Sequence, residues 1–581
     1  MKFKLINDDI RENYGEKLLR ARGVQDLEHF TDPDESCIQS PFDLDYMDIG
    51  VQMLHTVLIT TSPSIALVVD SDVDGFTSSS IIYQYIKTVK PETNIVYYLH
   101  EGKQHGLSDM VEKIIDDNEK YHYNLVIVPD AGSNDFEYIE QFKEINLPVL
   151  ILDHHIVEED THFSDNSVII NNQLSSRYKN KSLSGAGVTY QFCRAYDMAF
   201  ELDYAKYFID LAALGIDADM MSMLEIENQY FMKYGFNNLH NYFFKVLFEK
   251  QSYSMNGELT PISVAFYIVP LINAMIRIGT MNEKERLFLA FVDGTRLVPS
   301  HKRGAKGTLE KVAVESAREC TNAKAHQDKF KKEAVDHLEI KIFNNDLLDN
   351  KILFVRLDDD DNFPAELNGL VAMQLSAKYK KPTIVARLNK EGIIRGSARG
   401  LNQSELKSFK NFLSDTGLFE YTIGHDNAFG ISIPNNKLSK LHEIANEELS
   451  FIDFSQNVYD VDFVRQASDN DISDLILDLS NYKYTWGQMN NEPMIAVQDI
   501  VIPKTDISII GKNKNTVKFS YKGITYIKFF ANPLIEEIEN WKEPTINITI
   551  VGKTNLNEWM GHITPQVIIE DYELKKSKLA F

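Results

Sequence analysis

Cysteine is scarce in this 581-residue chain. The three present, Cys37, Cys193 and Cys320, lie far apart with no CxxC or Cys/His spacing, which excludes a disulfide framework and a structural zinc site. Long apolar runs are also missing. The most apolar stretch, Ser263–Gly279, is interrupted by Pro270, Asn273 and Arg277, so it is too short and too polar to span a bilayer, and no membrane association is expected. The first residues, MKFKLINDDI, turn polar and acidic within the first ten positions. That is unlike a secretory signal, and a cytoplasmic protein is expected. An excess of positive charge is absent as well: 60 Lys+Arg face 85 Asp+Glu, for a formal net charge of −25. This excludes a protein that coats nucleic acid non-specifically, because phosphate binding is driven by Lys and Arg. It leaves room for an enzyme with a local basic groove and acidic metal ligands. No internal repeat is visible, and Asp358–Asp361 is the one low-complexity tract. With 44% hydrophobic and 25% charged residues the chain is an ordinary globular one, long enough for about three to five domains.

Between Ser64 and Asp153, apolar runs alternate with amphipathic segments. SIALVV leads into Asp70, NLVIVP into Asp130, and PVLIL into Asp153, with SDMVEKIIDDNEK and DFEYIEQFKEI at helical spacing between them. That alternation predicts a parallel sheet in an α/β domain, and the carboxyl ends of such strands share one ligand-binding crevice. Residues 179–278 read as mostly helical, and 282–345 as a charged, solvated helical connector. A second α/β unit starts near KILFVRL, and short alternating strands follow Val458, predicting a small barrel. The expected fold is therefore a multidomain α/β chain. Its parts are an N-terminal segment (1–45), a parallel-sheet catalytic domain (46–280), a helical connector (281–345), a second α/β domain (346–455) and an oligonucleotide-binding-like β domain (456–581).

The densest chemical signal is DSDVDG, with Asp70, Asp72 and Asp74 before Gly75. Alternating carboxylates just past a strand converge on hard divalent cations; a solvated acidic turn is the plain alternative. An EF-hand is disfavoured, since loop position twelve is Ile81 rather than Glu. Asp130-Ala131-Gly132-Ser133 places another Asp at a strand end, where alone it would be an ordinary turn. Asp153-His154-His155 offers two imidazoles for metal or phosphate, with the Asp orienting a ring, although His pairs also occur on surfaces by chance. LAALGIDADM contributes Asp219, with Asp217 as its competitor. Several carboxylates and one or two His at one sheet edge suit a two-metal site for in-line phosphoryl displacement. The mixed donors favour Mn²⁺ over Mg²⁺.

Taken in order, DSDVDG, PDAGS, LDHH and ALGIDAD resemble the four motifs of the DHH phosphoesterase superfamily. Further segments resemble its RecJ-type single-strand exonuclease branch, in bacterial or phage form. They are LLRARGVQDLEHFTDP, LSGAGVTYQF, IVPLINAMIRIG, GIIRGSARG, IGHDNAFGISI, YTWGQMNNEP and TPQVIIEDY, and together they cover nearly the whole chain. The resemblance implies a metal-dependent 5′→3′ exonuclease that releases mononucleotides from single-stranded DNA in repair, recombination or replication. It implies two divalent cations held by Asp70, Asp72, Asp74, Asp130, His154 and Asp219, with Asp153 in support. His155 would contact the scissile phosphate and Arg277 would help bind phosphate; Asn273, Ser397, Arg399 and His425 would bind substrate, with Ser397 and Arg399 gripping the terminal phosphate. A monomer is expected, with a helicase or single-strand-binding protein as a partner.

Departures from the family pattern are local. Ser71 and Val73 lie between the proposed ligands, Gly400 ends the GSARG motif, and Ile423 precedes Gly424-His425. Leu271 and Ile276 replace an Arg and a Gly. YYLHEGKQHGL aligns with an Arg-containing stretch ending in GYGL, so His100 or Lys103 would have to stand in for that Arg. The aromatics Trp486, Trp541 and Trp559 are candidates for base stacking or for core packing, and the basic run His301–Lys306 for phosphate contact or simple solvation. Two other readings compete. A DHH phosphodiesterase acting on short oligonucleotides or small nucleotides would usually lack residues 458–581, and an inactive RecJ-like scaffold would have lost ligands that are all present here.

Overall fold

The computed structural model describes residues 1–102, 104–157, 164–358, 364–559 and 562–575. Lys103, Asp359–Asp361 and the Trp559 side chain fall outside the described residues. The chain divides into two compact units, Val24–Gln327 with Lys483–Asn491, and Met1–Gly23 with Asp328–Tyr482 and Glu492–Phe581.

In the first unit, the apolar runs form five parallel strands: β1 (Ser64–Val69), β2 (Asn94–Leu99), β3 (Leu125–Pro129), β4 (Val149–Asp153) and β5 (Ser167–Asn171). Strands β1, β3 and β4 are buried along their whole length, which is why their sequences read as continuous apolar runs rather than alternating ones. Side chains still alternate between the faces. Ile65, Leu67 and Val69 join the core under helices Val73–Val89, Gly185–Phe200 and Ile209–Ala218. Ala66 and Val68 instead meet Ile114, Ile139 and Phe142 of the helices Val111–Tyr121 and Phe136–Glu144. The strand order is β2-β1-β3-β4-β5. The chain leaves β1 toward β2 and then returns to the other side of β1 for β3. Where the order reverses, the loops after β1 and β3 part and open a crevice. Asp70 follows one of those strands and Asp130 the other.

A buried carboxylate ties Gln39, ahead of the sheet, to the helices of this unit. Glu227 accepts from Gln39 N and Nε2, Tyr178 Oη, Asn180 Nδ2 and Gln191 Nε2 at 2.8–3.2 Å. The stretch Pro261–Ile278 is long and apolar enough by composition to cross a membrane, and half of it is buried inside the unit. It is broken into the helices Pro261–Tyr267 and Val269–Ile278.

The connector differs from the solvated helix expected for 282–345. Helix Met281–Val292 is followed by a hairpin, Leu297–Pro299 with Leu309–Lys311, and only then by the helix Val312–Asn344. Pro299, Gly304 and Gly307 stop a continuous helix. The long helix buries Ala313, Ala317 and Cys320, spaced four and three residues apart. Such small residues are easily overlooked among many charges.

In the second unit, a mixed sheet runs in the order Tyr421–His425, Ala428–Pro434, Ile393–Arg399, Thr383–Leu388, Leu353–Leu357, and only its last pair is parallel. A seven-stranded sheet from Phe463–Gln466 to His562–Lys575 forms the β domain. The amino-terminal strand Lys2–Leu5 pairs in parallel with Val458–Val461. The nine residues Lys483–Asn491, sequence-neighbours of the β domain, belong to the first unit, where Gln488 O accepts from Met223 N at 2.8 Å.

Candidate active site

Each motif carboxylate is held by donors from a different element. Asp70 is buried, and its Oδ1 accepts from Gly106 N at 3.0 Å while its Oδ2 lies 2.6 Å from His105 Nδ1. Asp72 caps the helix Val73–Val89, accepting from Gly75 N at 3.0 Å. Asp74 sits inside the first turn of that helix but reaches across to the start of another. It accepts from Ser184 Oγ, Gly185 N and Ala186 N at 2.9, 2.7 and 3.0 Å. A helix amino terminus stabilises a carboxylate in this position through free N–H groups and the helix dipole. The approach requires small residues. A methyl group on Gly185 would lie 2.4 Å from Asp130 Oδ1, and one on Gly215 would lie 2.3 Å from Asp74 Oδ1. Gly185 of SGAG and Gly215 of ALGID are thus explained by close approach to carboxylates.

Asp130 follows β3 with φ 65°, a left-handed conformation that aims its side chain back into the crevice. Its buried Oδ1 has no hydrogen-bond donor, and His154 Nε2, likewise buried without a hydrogen bond, stands 3.2 Å away. The same Nε2 is 3.5 Å from Asp219 Oδ2 and 3.9 Å from Asp74 Oδ2. Asp153 gathers the donors of the histidine pair and of the PDAGS loop. Its Oδ1 accepts from His154 N and His155 N at 2.7 and 3.1 Å and meets His155 Nδ1 at 2.8 Å, while its Oδ2 accepts from Ser133 N at 3.0 Å. Asn171, next to Asp153 in the sheet, donates to Ser133 Oγ and to the His155 carbonyl, both at 2.9 Å.

The electrostatics follow from this crowding. Burial, and then repulsion from Asp74, Asp72, Asp70 and Asp219, raises the Asp130 carboxyl well above its ordinary pKa. Burial raises Asp74 despite the nearby His154, and burial with repulsion from Asp74 pushes Asp219 up to about 8. Burial lowers His154. Burial opposes ionisation of Asp153 too, yet the hydrogen bond and charge of His155 hold it below the usual carboxylate range. Burial works against the His155 cation, but Asp153 outweighs it and pushes the imidazole up to about 9. A crowd of buried carboxylates around an imidazole nitrogen that lacks a hydrogen bond is unfavourable without positive charge among them. Ligand atoms of Asp74, His154 and Asp219 lie within 4.8 Å of one another, as do those of Asp130, Asp153, His154 and His155 and those of Asp70, Asp72 and His105. Oxygen-rich sets with one or two imidazoles fit divalent cations of the Mn²⁺ or Mg²⁺ kind.

All six expected metal ligands thus surround one crevice, with Asp219 rather than Asp217 joining His154. Arg277, on the helix Val269–Ile278, is partly buried, which lowers its pKa, and it feels the opposing charge of Asp72. Asn273 lies one turn earlier on the same helix. His100 does not fill the role of the missing arginine, because its side chain is wholly buried and its Nδ1 is 2.8 Å from Asp109 Oδ1. Trp486 is buried, which favours packing over base stacking for that ring.

The second-domain residues cluster in the other unit. Arg399 and His425 both stand opposite Ala428 in neighbouring strands, so the three share one sheet face, and Ser397 joins them two residues before Arg399. The opposite face carries Ala398, Phe429 and Ile431 into the core. Arg399 crosses over Gly369, where an added methyl would lie 2.4 Å from its Nη2.

His105 was not anticipated. It is a single imidazole in a loop, half exposed, and no spacing connects it with Asp70 35 residues earlier. Ser71 Oγ, donating to the Gln104 carbonyl, fastens the same loop to DSDVDG. Because His105 holds Asp70, His105→Ala should lower Mn²⁺ affinity roughly 10–100-fold, the usual cost of losing an orienting partner. Isothermal titration would read this, and an unchanged affinity would remove His105 from the site.

Comparison with known proteins agrees with this geometry. Residues 64–216 match the DHH family, N-terminal domain, and residues 467–571 match the RecJ OB domain. YorK of the SPbeta prophage in Bacillus subtilis strain 168, provisionally named a single-strand DNA-specific exonuclease, is 36% identical over 100% of this chain and 99% of its own. The single-stranded-DNA-specific exonuclease RecJ of the same organism is 25% identical over 97% of this chain and 68% of its own. Among solved structures, RecJ of Thermus thermophilus in complex with Mn²⁺ superposes with a TM-score of 0.70 at 16% identity, covering 99% of this chain and 80% of that one. The multidomain fold, with its carboxy-terminal oligonucleotide-binding domain, is therefore shared.

Proposed function

We propose, from the premise that this chain belongs to the RecJ-type single-strand-DNA-specific exonucleases of the DHH family, that it removes mononucleotides from single-stranded DNA in the 5′→3′ direction with two divalent cations. The observation that carries the reading is the pair Asp130 Oδ1 and His154 Nε2. Both are buried without hydrogen bonds and face each other at 3.2 Å among further carboxylates.

Asp70, Asp72, Asp74, Asp130, His154 and Asp219 would hold the cations, Mn²⁺ in preference to Mg²⁺. Bound there, the cations supply a water nucleophile at neutral pH and neutralise charge on the attacking and leaving oxygens. Asp153 holds the main chain of both histidines by accepting from their backbone N–H groups and fixes the His155 ring through Nδ1. That leaves His155 Nε2 for a phosphate oxygen. Arg277, which feels the opposing charge of Asp72, adds a guanidinium fork for phosphate, with Asn273 one turn away on the same helix. On the second unit, Ser397, Arg399 and His425 bring a hydroxyl, a guanidinium and an imidazole to one sheet face, suited to a terminal phosphate.

The test is a polarity and substrate panel with end-labelled DNA and RNA oligomers and either metal. We expect mononucleotides from 5′-labelled single-stranded DNA first, and largely intact blunt duplex. Equal digestion from both ends, or none with any divalent metal, would overturn the reading.

A further inference from the structure

The hairpin Leu297–Lys311 has no part in the site described above. Its tip reads SHKRGAKGT, with no acidic residue from Ser300 to Leu309 in a chain of net charge −25. The tip is ordered from within. Ser300 N donates to Thr308 O and Gly307 N to Ser300 O, both at 2.8 Å, Ala305 N to Lys302 O at 3.0 Å, and Lys302 N to Ser300 Oγ at 3.1 Å. Gly304 and Gly307 take φ of 83° and 84°, which make the turn possible.

Its base is locked to the long helix. His301 N and Nδ1 reach the buried Glu315 at 3.1 and 3.0 Å, Arg318 neutralises Glu315 and Glu310, and Arg286 forks onto Glu319. The nearby acids are thus already matched. Lys302, Arg303 and Lys306 are exposed, and none of them forms an ion pair among the described residues. Three exposed cations outside any ion pair, on a loop braced by its own backbone hydrogen bonds, give a local positive potential.

The hairpin is also connected to the site. Lys284, in the first turn of the helix Met281–Val292, donates to the carbonyls of His100 and Gly102 at 3.3 and 3.4 Å, on the loop that holds Asp70. At about 1.5 Å per residue, the stretch from Lys284 to the end of this helix carries the chain about 12 Å onward to the hairpin. That is about three to four phosphates along a stacked strand.

We propose that the tip Lys302–Lys306 is a phosphate-backbone exosite, holding single-stranded DNA several nucleotides away from the bond being cut. The proposal rests on the exonuclease reading, and its test separates the two. The triple variant Lys302→Ala/Arg303→Ala/Lys306→Ala is compared with wild type for binding of a fluorescent 15-nucleotide oligo-dT, with metal chelated, over a salt series. Hydrolysis of a trinucleotide with Mn²⁺ is measured alongside. Loss of three contacts should flatten the log–log salt dependence by about two, and weaken binding at low salt about tenfold or more. Trinucleotide turnover should stay within about twofold, and Lys302→Arg/Lys306→Arg should bind like wild type. Unchanged 15-mer affinity and slope would overturn the exosite, as would an equal loss of trinucleotide turnover. If the wild type with Mn²⁺ hydrolyses neither the trinucleotide nor the 15-mer, the exonuclease reading is overturned instead, with the metal-free binding comparison still legible.

Discussion

Asp130→Asn should cut metal-dependent hydrolysis of single-stranded DNA by roughly 10³-fold or more, the order of loss when one member of a preorganised charge-stabilising set is removed. The same change should leave the metal-free protein as stable as wild type or more so. In the wild type, Asp130 is buried beside Asp74, Asp70, Asp72 and Asp219, which raise its pKa together with burial, and its Oδ1 lacks a donor. Neutralising that carboxyl removes repulsion without removing a hydrogen bond to Oδ1, a gain of about 0.5–2 kcal/mol by analogy with other relieved functional sites. Metal reverses the order. A cation at 100 times its dissociation constant stabilises the wild type by about 2.7 kcal/mol, and the Asn variant should gain much less. Melting curves in EDTA and in Mn²⁺ therefore cross between the two proteins. Turnover near wild type would refute the ligand assignment. So would a variant that melts well below wild type in EDTA, since Asp130 would then be a structural residue.

The ligand strands were legible because burial on both sheet faces forces long apolar runs, and each run ends in an Asp: Asp70, Asp130 and Asp153. Their convergence followed from the parallel topology. What the sequence did not display was how the carboxylates are held. The donors to Asp74 lie 110–112 residues away at a helix start, and His105 lies 35 residues from Asp70. Neither separation leaves a periodic trace. The hairpin was hidden for a different reason. Its strands are three residues long and largely exposed, so no alternation of apolar residues marks them, and the charges around them read as helix. The pairing of Lys2–Leu5 with Val458–Val461 spans most of the chain, and strand-forming residues at an amino terminus do not indicate their partner.

The largest structural effect is expected at Arg465, a guanidinium with 1% exposure inside the second unit. Its Nε reaches Asp471 Oδ1 and Oδ2 at 3.2 and 3.0 Å, its Nη1 reaches Asp9 Oδ1 at 3.2 Å, and its Nη2 donates to the Ile10 carbonyl at 2.5 Å. It also lies over the rings of Tyr14 and Phe463 at 5.8 and 5.9 Å, and Tyr14 Oη donates to the same Asp471. One side chain thus joins the amino-terminal segment to the first strand of the β domain. Arg465→Met keeps most of the packing volume but strands Asp471 and the Ile10 carbonyl, which should cost about 3–5 kcal/mol. In a unit of this size that lowers its melting temperature by roughly 6–20 °C. Asp471→Asn added to Arg465→Met should restore part of the loss, because the abandoned charge is what is costly, and the two sites touch and so do not add. Hydrogen exchange locates the effect: protection of Phe3–Leu5 against Val458–Val461 should fall first in the single variant. A melting temperature within about 2 °C of wild type, or undiminished protection of that strand pair, would show that Arg465 does not anchor the segment.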